Sequence, residues 1–195
     1  MQSLPIISPK LAQENYLSDS FSLDRTRAQR IKAVAKRFGK MSASCKISIC
    51  IPAYRESSLL RNTLLNYTIY QTDLEGVPLN PELFEVNILI NRPNEFSERD
   101  TLMLDVIREF KTEFPAYHIN IAEIIYDFHE KAVMGLIFKD IADAVILRNM
   151  KRNISTRDKS RLILRTAGAD VEALNPLLLS RTLTLFTDQS IIAHR

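Results

Sequence analysis

Tyr54 and Glu56 stand just past a short apolar run in the stretch KISICIPAYRE, residues 46–56. A tyrosine ring offers a flat apolar face, and a glutamate offers two acceptor oxygens, so the pair is suited to gripping a ligand. The preceding run, Ile47–Ile51, carries no charge and stops at Pro52. It is too short for a helix and reads as a strand buried on both faces. Ligands of open α/β sheets bind at the carboxyl ends of their strands, which is where Tyr54 and Glu56 fall.

Other chemistry-bearing patterns are thin. The four glycines, Gly39, Gly76, Gly135 and Gly168, form neither GxGxxG nor GxxxxGK[ST]. Phosphate is therefore not expected on a glycine-rich turn, and a bound nucleotide would need a metal or side-chain cations instead. His118, His129 and His194 give no HExxH or paired metal spacing, and no GxSxG nucleophile elbow exists. His129, beside Glu130 and Lys131, reads as a surface-loop histidine. Cys45 and Cys50 lack CxxC spacing and read as reduced thiols of a cytoplasmic protein.

The remaining pattern supplies the elements that must position such residues. Ile31, Val34, Ala35 and Phe38 recur at helical spacing before Gly39, which predicts a basic amphipathic helix from Asp24. Its apolar stripe is expected to pack on the body; a membrane-surface or partner-binding helix is the alternative. After the first strand comes a helix over Glu56–Tyr70, then a loop containing Gly76, Pro78 and Pro81. Phe84–Asn91 is the second strand, and a helix N-capped by Ser97 runs to Pro115. His118–Tyr126 is a third strand, Ala132–Asn149 a long helix and Lys151–Lys159 a basic loop. Arg161–Thr166 is a fourth strand, and Asn175-Pro176 opens a last helix through about Phe186. Strand and helix alternate, so the expected class is α/β: a mostly parallel sheet with helices on both faces.

Composition fits that reading. The 195 residues are 46% hydrophobic and 25% charged, as in an ordinary globular protein. No apolar run is long enough to span a membrane, and no secretory leader is expected from the opening residues. Residues 1–46 hold nine Lys/Arg against three acids, a net of +6, whereas the remainder holds 17 against 20. A basic arm over residues 1–45 thus precedes a mildly acidic body over 46–195. The arm makes peripheral membrane contact through residues 24–39 a secondary reading; the acidic body argues against nucleic acid.

Three motifs in order resemble family 2 glycosyltransferases. ISICIPAYRES is similar to that family's opening strand and its Pro-x-Tyr-Asn-Glu turn. FEVNILIN is similar to its second strand, which ends in an aspartate, and LILRTAGADVEALNP to its fourth strand with the Asp-x-Asp metal motif. The resemblance covers roughly residues 46–187. It implies a GT-A fold that binds a nucleotide-diphosphate sugar and transfers the sugar to a carbohydrate or other hydroxyl acceptor.

Carried onto this chain, the resemblance implies a nucleotide site of Pro52, Ala53, Tyr54, Glu56, Asn91, Lys131 and Ala169. Tyr54 would stack on the base, Glu56 would accept from a ribose hydroxyl or base N–H, and Asn91 takes the place of the base-binding aspartate. Asp170 would ligate Mg²⁺ or Mn²⁺, which would neutralise the diphosphate leaving group. Lys131 and Lys139 would meet phosphate oxygens. The chain departs from the family at Arg55, in place of Asn, and at Gly168, in place of the first metal aspartate. Beyond Asp170 it offers only Glu172 and Asp188, neither suited to be the catalytic base, so the acceptor half is expected to be short or absent. The alternative expectation is a truncated or non-catalytic GT-A module with at most nucleotide binding.

Overall fold

In the computed structural model, which describes residues 25–92, 101–126, 133–156 and 161–188, the apolar run becomes strand β1, Ile47–Ala53. All seven of its residues are buried, as a strand covered on both faces requires. Strands β2 (Phe84–Arg92), β3 (His118–Ile125) and β4 (Ile163–Thr166) complete a sheet of order β3-β2-β1-β4, parallel throughout. The order reverses at β1: the chain first builds outward through β2 and β3, then returns to add β4 on the other side.

Helices cover both faces, as the α/β pattern demands. On one face lie α2 (Ser57–Tyr67), α3 (Thr101–Glu113) and α5 (Leu178–Asp188). Leu60 and Leu64 of α2, Met103, Ile107 and Phe110 of α3, and Leu179 of α5 pack on Ile47, Ile49, Ile51, Val86, Ile88 and Ile90. Each fully buried isoleucine here contributes about 1.5–3 kcal/mol relative to exposure. On the other face lie α1 (Arg25–Phe38) and α4 (Val133–Thr156), with Ile31, Val34 and Phe38 against Ile137, Ile141, Ala144 and Val145. The stripe predicted for the basic helix is thus packed on the body. Gly39 follows α1 with φ +73°, the left-handed C-terminal stop that its position predicted.

The α4 face also holds charge. The Arg148 guanidinium clasps Glu85 through two bonds of 2.7 and 2.9 Å and donates to Asn87 Oδ1 at 3.0 Å. Ser48 and Asn120 add further donors to the same carboxylate, at 2.7 and 3.1 Å. A second cluster joins α1 to α4: Arg27 and Arg30 donate to Asp140 at 3.0 and 2.7 Å, and Arg27 also pairs with Asp143. The Tyr126 hydroxyl donates to Asp140 at 3.2 Å. Buried ionic groups hold their charge only when they are partnered, and the Glu85, Asp140 and Asp143 carboxylates each pair with an arginine.

One boundary needs correction. The long helix does not stop at Asn149 with a loop from Lys151; α4 runs on to Thr156. Its final turns lack an apolar stripe, but Arg152 is buried and donates to Ser42 O and Cys45 O at 3.2 and 2.6 Å. Hydrogen bonds to the segment before β1 anchor those turns, a signal that apolar periodicity does not carry. Cys45 and Cys50 are free and buried, and burial pushes both thiols up to about 12, far from the reactive thiolate. No described helix is long and apolar enough to cross a membrane.

Candidate functional site

The reversal of strand order at β1 puts the switch point of the sheet between the carboxyl ends of β1 and β4, where doubly wound sheets form the crevice that takes ligands. The chain leaves β1 through Tyr54-Arg55-Glu56 and leaves β4 through Ala167-Gly168-Ala169-Asp170. Register brings these segments together, because Cys50 pairs with Thr166 and the Ala167 N–H donates to Cys50 O at 3.0 Å.

Pro52 and Ala53 are buried in the last turn of the strand, while Tyr54 is 41% exposed. Arg55 adopts φ +56°, the left-handed region that a long side chain rarely occupies. This twist lets the Glu56 carboxylate turn back and accept the Tyr54 N–H at 3.0 Å. It also lays the Arg55 guanidinium over the Tyr54 ring, 5.2 Å from its centroid, so one stacking face is already engaged.

Glu56, at the end of β1, and Asp170, past the end of β4, are near enough for their charges to interact. Partial burial raises the Glu56 pKa above the ordinary carboxylate value, and the charge of Asp170 raises it further; the Tyr54 N–H opposes both. Asp170 is exposed, and Ala169 beneath it is buried. No group of three or more His, Cys, Asp or Glu that could hold a metal ion occurs among the described residues. A divalent cation at Asp170 would need most of its oxygen ligands from water or a bound phosphate rather than from protein carboxylates.

Asn91 follows Ile90, the partner of Ala53, so it stands level with Tyr54 on the neighbouring strand. Its Oδ1 is buried and accepts no hydrogen bond among the described residues. An unpaired buried carbonyl costs about 1–3 kcal/mol, and a donor brought by a ligand would recover it. Lys131 lies outside the described residues, as do His129 and Glu130. Lys139 is exposed on α4.

A supporting group was not singled out from the sequence. Thr63 of α2 donates to Ala169 O at 2.7 Å and accepts from the Val171 N–H at 3.0 Å. Asn62 donates to Val171 O and Glu172 O at 3.0 and 2.7 Å, and Asn66 accepts from the Leu174 N–H at 2.9 Å. Gln71 accepts from the Leu179 N–H at 3.0 Å. These side chains satisfy the backbone of residues 169–179, which has no strand or helix partners of its own until α5. The signal was present as polar residues set among Leu60, Leu64 and Tyr67 on the inward side of α2.

No protein-family model and no curated protein sequence matches this chain.

Proposed function

We propose that the protein transfers a sugar from a nucleotide-diphosphate sugar to a hydroxyl acceptor, with the donor lying across the β1–β4 crevice. The observation that supports this reading is that the segments carrying Glu56 and Asp170 leave adjacent parallel strands at the switch point of the sheet. Tyr54 presents a ring for a base, and Asn91 Oδ1 offers a buried acceptor for a base N–H. Glu56 accepts from a ribose hydroxyl. Asp170 would hold Mg²⁺ or Mn²⁺ beside the diphosphate, where the cation offsets charge building on the leaving group.

Isothermal titration with UDP-, GDP- and dTDP-sugars in the presence of Mn²⁺ tests the proposal. Saturable binding to one of them, lost in Asp170→Asn, is expected. Binding to none, or binding indifferent to that substitution, overturns it.

A second reading, a non-catalytic module that binds a nucleotide and transfers nothing, is favoured by Gly168. A Cβ built there would lie 2.5 Å from Asp170 Oδ1, so the first metal carboxylate is absent and its place is partly filled. Metal-dependent sugar release or transfer above the buffer rate excludes this second reading.

A further inference from the structure

The end of the sheet opposite the crevice carries a groove of about 690 Å³ between the C-terminal halves of α1 and α4. Among the described residues, every charged one lining it is a cation: Lys32, Lys36, Lys40, Arg148, Lys151 and Arg152. The two arginines are spent on the protein itself. Arg148 binds Glu85 and Gly39 O, and Arg152 binds Ser42 O and Cys45 O. The four lysines are exposed, and none has an ion-pair partner among the described residues.

Helix polarity explains only part of this arrangement. α1 and α4 run side by side in the same direction, since Arg27 meets Asp140 at one end and Gly39 meets Arg148 at the other. Their C-terminal carbonyls therefore attract cations to one place, but that attraction fades beyond the last turn. Lys32 lies well inside α1, and the last turn of α4 contains no basic residue, which leaves Lys151 outside it as well. Lys32 and Lys36 stand four residues apart, about 6 Å along one flank of α1, and Lys40 follows just past the Gly39 stop. Lys151 faces them from α4, and Met41 and Leu147 form an apolar floor between. Four like charges around a concave, partly apolar surface repel one another unless an anion joins them. The groove is of ligand-pocket size and recessed, unlike the broad flat face suited to a membrane or a duplex.

We infer that this groove is a binding site for a small soluble anion carrying several phosphate groups, independent of the β1–β4 crevice. The site rests on α1 and α4 and does not depend on the proposed transferase activity.

The test uses the full chain and inorganic tripolyphosphate in buffer containing a chelator, so that metal-dependent binding at Asp170 cannot contribute. Calorimetry should show saturable binding that weakens as salt rises, and the melting temperature should rise with tripolyphosphate. The exposed charge reversals Lys36→Glu and Lys151→Glu, combined, should weaken binding at least about tenfold. Lys111→Glu, on α3 across the sheet, should leave it unchanged. No saturable binding, or equal binding by the Lys36/Lys151 double variant with its fold intact by circular dichroism, overturns the inference. So does sedimentation with phosphatidylserine vesicles or duplex DNA in the absence of any response to tripolyphosphate, which would make this face a macromolecular docking surface instead.

Discussion

The Asp170 carboxylate is folded over Gly168, with Oδ1 2.5 Å from the point that a Cβ on the glycine would occupy. The neighbour that must give way is the tip of an exposed side chain, not backbone, so a larger residue moves the carboxylate at little cost to the fold. Gly168→Ala should therefore keep its stability within about 0.5 kcal/mol, as exposed substitutions do, while weakening Mn²⁺-dependent nucleotide binding. Paired thermal melts and titrations check this. A large drop in melting temperature with unchanged binding would contradict it.

Arg55 holds a left-handed backbone that asparagine tolerates and arginine does not favour. Both Arg55→Asn and Arg55→Ala lose the stack on Tyr54, but only asparagine relieves the backbone. The Asn variant should exceed the Ala variant in stability by about 1 kcal/mol. Urea midpoints of the two proteins decide it, and equal midpoints refute it.

Glu56 titrates above its ordinary value of 4.5, chiefly through burial and secondarily through Asp170. Between the ordinary and the raised value the native state holds a proton that the unfolded chain has lost. Stability from this group is thus fully present below 4.5 and declines as pH rises through the raised value. Glu56→Gln should remove that decline, and Asp170→Asn should lower the Glu56 pKa measured by carboxyl NMR titration. A Glu56 titration indifferent to Asp170 would separate the two carboxylates.

Glu85 is 2% exposed and Arg148 4%, so removing either charge strands the other in the interior. Arg148→Met should cost about 3–5 kcal/mol, and pairing it with Glu85→Gln should return part of that loss. Denaturation of the two single variants and the double variant gives the coupling directly. An additive double variant would mean that the network is worth no more than its separate members.

The parallel sheet and the two-sided helix cover were legible because β1 is an uncharged run, β2 and β3 are short isoleucine-rich stretches, and most helices between them keep an apolar stripe. The end of α4 was not, because Arg152 anchors it by hydrogen bonds to carbonyls rather than by apolar contact. Buried charge was equally hidden. Asp140, Asp143 and Arg148 occupy inward positions of a helix whose neighbours Ile137, Ile141 and Val145 also face inward, and only the fold reveals that their partners lie on α1 and β2. The crevice was visible as two strand ends, Tyr54–Glu56 and Asp170. The α2 side chains that pin residues 169–179 were not, since Asn62, Thr63 and Asn66 reach partners more than 100 positions away.

The pairing of α1 with α4 sets an order for assembly on the ribosome. Arg27 and Asp140 are 113 positions apart, and α1 buries its stripe against a helix made long after it. At about 5–20 residues per second, α1 leaves the ribosome on the order of ten seconds before its partner exists. Through that interval β1, β2, α2 and α3 can begin their mutual core, whereas the part of the Ile31, Val34 and Phe38 stripe that packs on Ile137, Ile141 and Val145 has no cover yet. The nascent chain is therefore most exposed to chaperone capture at its amino-terminal helix, and the delay ends with synthesis of α4.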